Sequence, residues 1–108
     1  MRVALVSVIG LLCITSPALG QEFGDASRGF IYVRQACADC HAVASDQKVS
    51  PDPKAPSFQS VANIPGLTRT AVDVWLHSSH PTMPQLIIDA ERVDDIAAYL
   101  RSLRKTDK

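Results

Sequence analysis

The sequence predicts an all-α domain of about four helices. Two observations carry that expectation. Apolar residues recur at steps of three and four in several separate stretches, the period of a helix with one buried face. No stretch alternates apolar and polar residues as a strand would, and the intervals between the periodic stretches hold most of the prolines. The chain has 108 residues, enough for one small domain and too few for a separate catalytic one. Its 11 basic and 11 acidic side chains balance, which gives no general support for binding nucleic acid or a polybasic attraction to membranes.

The first element is expected to be removed. Met1-Arg2 precedes an apolar run over residues 3–14, broken by Ser7 and Gly10 and followed by Ser16-Pro17-Ala18-Leu19-Gly20. One basic residue, a short apolar run and small residues at a cleavage point make a secretory signal over residues 1–20. The run is short for a bilayer span, so no stable membrane insertion is expected after cleavage. Cys13 follows Leu12, where a lipoprotein signal has a small residue, and reads as a small hydrophobe. The mature domain is then 21–108. Cleavage removes 13 of 50 hydrophobic residues and leaves 88 residues, of which only 24 are Val, Ile, Leu, Met or aromatic. A domain of that size needs a disulfide, a metal or a large cofactor to hold it.

A first helix is expected over residues 25–39. Asp25 is its N-cap, and Ala26, Phe30, Val33 and Cys37 share one face. Gly29 lies inside it, at a cost of about 1 kcal/mol against alanine, which close approach of another helix would explain. Residues 42–56 form a loop stiffened by Pro51, Pro53 and Pro56. A short helical turn over 57–62 starts at Ser57, and 63–66 is a turn. A third helix starts near Thr68 or Thr70 and ends near Ser78, with Val72, Trp75 and Leu76 as its apolar stripe. A second stiff loop over 77–84 leads to the last helix, 89–103. Asp89 caps that helix, and Val93, Ile96, Ala97, Leu100 and Leu103 form its buried face. Asp89, Glu91, Asp94 and Asp95 fill its first half, and Arg101, Arg104 and Lys105 close it, an order that complements the helix dipole.

The missing staple is read from Cys37-Ala38-Asp39-Cys40-His41. C-x-x-C-H is the attachment run for a c-type haem. Each thiol adds to one porphyrin vinyl group to form a thioether, and one helical turn between the cysteines matches the separation of the vinyls. The next residue, His41, then falls under the iron as proximal ligand. Three other readings fit less well. A redox C-x-x-C sits between a strand and a helix, and no strand precedes this one. A Cys37–Cys40 disulfide closes too short a loop to support a core. Zinc needs two more ligands, and His77 and His80 lie far outside finger spacing.

The sixth iron ligand has three candidates: Met83, His77 and His80. Once Met1 is removed Met83 is the only methionine, framed by Pro81 and Pro84 in polar surroundings that argue against a core-filling role. A thioether favours ferrous iron relative to a second imidazole and raises the potential. His80, just before Pro81, has an alternative use in shaping the loop.

Taken together, these residues resemble a small class I c-type cytochrome of the soluble bacterial periplasmic kind, over essentially all of residues 24–104. Gly29 stands eight residues before Cys37, with Val33 one turn later, and the terminal run over 96–103 places Tyr99 where the family has an aromatic residue. The resemblance implies that Gly29 meets Tyr99 at a close helix crossing. It also implies that Pro56 offers its carbonyl to the His41 ring, fixing the ring and raising its basicity, and that Met83-Pro84 is the Met-Pro of the distal loop. The fold implied is the small cytochrome c fold, about four helices around one covalently bound haem. Trp75 resembles a propionate-binding tryptophan of some members, and packing in the core suits its position equally well. The mature charge is −1, and about −3 with two ionised propionates. A lysine-ringed docking face is therefore not expected, and Lys48, Lys54 and Arg34 make at most a small positive patch.

An iron with both axial positions filled offers no site for substrate, so the expected activity is one-electron exchange and not enzymatic turnover. The leading expectation is a periplasmic shuttle between redox partner proteins, probing them by weak, brief encounters. It would be a monomer or part of a dehydrogenase complex. The alternatives are a dedicated cytochrome subunit of a periplasmic dehydrogenase and, from another class, a gas-binding or peroxidatic haem protein.

Overall fold

Four helices, α1 (Ala26–Ala36), α2 (Phe58–Ala62), α3 (Arg69–His77) and α4 (Ala90–Leu103), make up the regular structure of the computed structural model, which describes residues 24–78 and 82–105. The leader expected over 1–20 and His80 lie outside the described residues. Among the described residues there is no strand, and no helix is long and apolar enough to cross a membrane.

Each helix begins at a side-chain cap. Asp25 accepts from the Arg28 N–H, Ser57 from Ser60, Thr68 from Ala71 and Asp89 from Arg92. Each bond satisfies a donor that the first helical turn leaves unpaired, worth about 1 kcal/mol. The first helix is shorter than its periodicity predicts. It stops at Ala36, and Cys37 leaves helical geometry at φ −121° and ψ −18° while its N–H still reaches Val33 O. A separate turn follows, in which the N–H groups of Cys40 and His41 both donate to Cys37 O, at 3.2 and 2.9 Å. The C-x-x-C-H residues are thus one turn set off from α1, not its last turn.

Helix α4 is the hub against which α1, α2 and α3 pack. Val93, Ile96, Ala97, Leu100 and Leu103 are buried as predicted, and Tyr99 joins them. They meet Val33 of α1, Ala62 of α2, Val72 of α3 and the loop residues Val43, Leu67 and Ile88. Val33 and Val93 are fully buried, each contributing about 1.5–3 kcal/mol against exposure. The crossing of α1 and α4 is centred on Gly29, where an added Cβ would stand 2.1 Å from Asp95 O and 2.9 Å from Tyr99 Cβ. Phe30 then stacks on Tyr99 with ring centroids 5.1 Å apart. The C-terminal end of α4 is tied to α2 and its flank by Gln59 Nε2 donating to Leu103 O at 2.6 Å and by the Arg104 guanidinium donating to Leu67 O.

Two details depart from the sequence reading. Trp75 is 39% exposed and lies outside the core, while Val72 is buried and Leu76 half-buried. The inward face of a nine-residue helix is narrow, and steps of four favour Val72 and Leu76 over Trp75. Asp95, read only as one of the acids that complement the dipole of α4, is buried. Its Oδ1 accepts from Asp25 N–H at 2.7 Å and Arg28 Nη2 at 2.8 Å, and its Oδ2 accepts from Arg28 Nε at 2.9 Å. Asp94 likewise takes a tertiary partner, Arg69 Nε at 2.7 Å, which links α3 to α4.

The hydrogen bonds from Arg28, helped by the Asp25 N–H, hold the Asp95 carboxyl below the ordinary 3.8 in spite of the opposing effect of burial. A carboxyl whose folded value is depressed stabilises the fold above its unfolded value and ceases to do so as pH falls through the folded value. In thermal melts the difference between wild type and Asp95→Asn is therefore expected to be widest above about pH 4 and to shrink below it. A difference that is constant from pH 7 to pH 2 would show that the charge of Asp95 is not what the fold uses.

Candidate functional site

The turn at 37–41 displays its three reactive side chains differently. Cys37 is half-buried at the end of α1 and packs against the core, whereas Cys40 is exposed, and both are free thiols. Burial, reinforced by nearby Cys40, pushes the Cys37 thiol up to about 11, so at neutral pH it stays protonated and uncharged. That is a poor setting for a redox or metal-binding thiolate and a compatible one for a sulfur that adds to a carbon–carbon double bond.

His41 is held at the ring. Its Nδ1 lies 2.6 Å from the carbonyl oxygen of Pro56, fifteen residues on. A carbonyl only accepts, so Nδ1 carries the proton and donates, and the lone pair of the ring is left on Nε2. Phe58 packs edge-on against the ring, with centroids 5.4 Å apart at 67°. The sequence reading did not single out Phe58, and its place two residues after a proline gave no signal for this role. Pro56 itself is brought up by a short ladder between the two loops. Phe58 N–H donates to Ala42 O at 2.8 Å and Asp52 N–H donates to Cys40 O at 3.1 Å.

Met83 is half-buried in the irregular segment between α3 and α4, close in sequence to half-buried Leu86 and buried Ile88. His77 is committed elsewhere. It is exposed at the end of α3, with Nδ1 2.9 Å from Asp73 O and 2.8 Å from Asp73 Oδ1. The Asp73 carbonyl, and then its carboxylate, raise the His77 pKa above the ordinary 6.5. The three cations considered for a positive patch are dispersed over two elements. Arg34 lies over the Phe30 ring of α1 at 5.5 Å, and Lys48 and Lys54 are exposed on the 42–56 loop.

The donor set fits a covalently bound haem. Two free thiols stand three residues apart. An imidazole follows them with one nitrogen anchored and the other free, and one soft thioether sits on a separate loop. Half-buried Tyr32, Phe58, Val61, Leu76 and Leu86 pack on the core, and Phe58 also packs on the His41 ring. Among the described residues no three His, Cys, Asp or Glu side chains converge as a metal cage.

Comparison with known proteins agrees with this chemistry. The chain is 34% identical over 104 residues to a protein named Cytochrome c-552 from Bradyrhizobium diazoefficiens, a match that spans 96% of this chain and 99% of the other. No family model and no solved structure matches the chain.

Proposed function

This chain belongs to the small c-type cytochromes, and from that premise we propose that it is a periplasmic one-electron shuttle with histidine–methionine ligation. The all-α arrangement of four helices is the fold such a protein needs. Haem c, when bound, supplies reversible exchange between ferric and ferrous iron. In this reading residues 1–20 direct export and are removed, and 21–108 is the working domain. Cys37 and Cys40 hold the porphyrin through thioethers. His41, through Nε2, and Met83 would hold the iron, and Pro56 would fix the His41 ring and raise its basicity through Nδ1.

The observation that carries the reading is the 2.6 Å contact between His41 Nδ1 and Pro56 O, immediately after the two thiols. A metal-bound histidine characteristically donates its other ring nitrogen to a carbonyl or carboxylate. Met83 rather than His77 completes the set in this reading, because Met83 is half-buried in the segment between α3 and α4 whereas His77 is exposed at the end of α3. With both axial positions filled, the protein gives and takes electrons without binding substrate.

Met83→Ala tests the assignment. Oxidised wild type is expected to show the iron–sulfur charge-transfer band, and the variant to lack it. The variant is also expected to bind carbon monoxide when reduced, and to shift the ferrous-to-ferric equilibrium toward ferric by at least tenfold, about 59 mV for one electron. An unchanged band and potential would remove Met83 as a ligand. Carbon monoxide binding by reduced wild type at neutral pH would replace the shuttle with the gas-binding alternative.

A further inference from the structure

Two side chains beside the attachment turn have no part in the function as described. Ala42 and Val43, which follow His41, are 0% and 3% exposed, so their N–H groups need partners inside the protein. Both partners are side chains further along the same loop. Ser50 Oγ accepts from Ala42 N–H at 3.0 Å, and Gln47 Oε1 accepts from Val43 N–H at 3.2 Å. The carbonyls of the same two residues are taken from the opposite side, Ala42 O by Phe58 N–H and Val43 O by the Tyr99 hydroxyl.

We propose that Ser50 and Gln47 are positioning residues for His41, setting the direction of its ring and through it the redox equilibrium of the bound haem. The inference rests on the reading of His41 as the iron ligand. Its geometry is simple. The Ala42 N–H belongs to the peptide plane that joins His41 to Ala42, so the Ser50 bond fixes that plane at the backbone. Pro56 O fixes the same residue at the tip of its ring. Phe58 N–H, two residues after Pro56, is bonded to Ala42 O, so a rotation of Ala42 moves the carbonyl that holds the ring as well. Gln47 steadies the next peptide. Without these two acceptors the buried N–H groups lose their partners, the segment is held only through its carbonyls, and it tilts toward other acceptors. The Nδ1–Pro56 bond then lengthens, the imidazole becomes less basic, ferric iron is less stabilised and the potential rises.

The test uses the mature haem-loaded protein with Ser50→Ala, Gln47→Ala and Ser50→Thr. Its two readouts are the midpoint potential and the hyperfine-shifted haem methyl pattern of the oxidised form, which reports the ring direction. Ser50→Ala is expected to shift the equilibrium toward ferrous severalfold, where tenfold is about 59 mV, and to change the methyl pattern. Gln47→Ala is expected to move both readouts in the same direction by less, and Ser50→Thr, which keeps the hydroxyl, to restore wild-type values. A Ser50→Ala protein that melts earlier while both readouts stay at wild type overturns the proposal, because the bond is then only structural. If Ser50→Ala does not mature, Gln47→Ala decides: an unchanged potential and methyl pattern overturn it. Failure of the underlying reading looks different. It shows with Ser50 and Gln47 intact, as a His41→Ala variant that keeps the wild-type low-spin spectrum.

Discussion

Replacing Cys37 and Cys40 together by alanine is expected to give a chain that loses its haem to acid–acetone extraction and does not hold its fold. The domain proposed over 21–108 has 24 large apolar residues in 88, and Phe58, which packs on the His41 ring, is only half-buried. Domains this small rarely draw more than about 3–5 kcal/mol from a hydrophobic core alone. A covalently held porphyrin adds apolar surface to pack against, and the tether keeps it from dissociating when the fold loosens. Removing both thioethers is therefore expected to cost several kcal/mol, most of the stability of a domain whose total is about 5–15 kcal/mol at best. The single variants should rank. Cys37 is half-buried against the core and Cys40 is exposed, so Cys37→Ala loses packing as well as a tether and should melt lower than Cys40→Ala. The checks are haem absorbance in the extracted pellet and circular dichroism. Haem that stays with the double variant would overturn the attachment reading.

What the sequence made legible was local. Asp25, Ser57 and Asp89 mark helix starts because a short polar side chain just before an apolar period has one obvious use, and all three are caps; the third helix could start near Thr68 or Thr70, and Thr68 is its cap. The cost of a glycine inside a helix asked for a close helix approach at Gly29, and the family resemblance supplied Tyr99 as its partner. The Cys37, Cys40 and His41 set was legible for the same reason: its spacing has a chemical purpose that a random sequence lacks. What stayed hidden depends on residues far apart in the chain. Asp95 looked like one more acid at a helix N-terminus, and only the fold brings Arg28, 67 residues earlier, onto its carboxylate. Ser50 and Gln47 looked like loop polarity, and their meaning depends on which buried N–H groups pass by them. The stop of α1 at Ala36 was also unreadable, because Cys37 continues the apolar period while the backbone leaves the helix. Periodicity describes which side of a helix is apolar and does not say where hydrogen bonding ends.

Gly29→Ala is expected to destabilise the protein by about 2–3 kcal/mol, opposite in sign to what the same change does in an exposed helix. In such a helix alanine gains about 1 kcal/mol over glycine. Here the new Cβ would stand 2.1 Å from Asp95 O, 2.7 Å from Asp95 C and 2.9 Å from Tyr99 Cβ. The first two are backbone atoms of α4 and cannot rotate out of the way, so the helices must separate. Overpacking of that kind typically costs 1–3 kcal/mol, about the upper end where backbone has to move. Separation has further consequences at this crossing. It draws Phe30 off Tyr99 and lengthens the bonds from Asp25 N–H and Arg28 to Asp95, which span the same two helices. At roughly 4–8 °C per kcal/mol for a domain of this size, the melting temperature of the haem-loaded protein should fall by about 10–20 °C. Gly29→Val, with two more methyl groups at the contact, should prevent accumulation of folded protein. The haem spectrum of the alanine variant should stay close to wild type at low temperature, since the crossing lies on α1 and α4 and the iron ligands lie elsewhere. An alanine variant as stable as wild type would mean that α1 and α4 do not pack through this residue, and the close crossing would have to be abandoned.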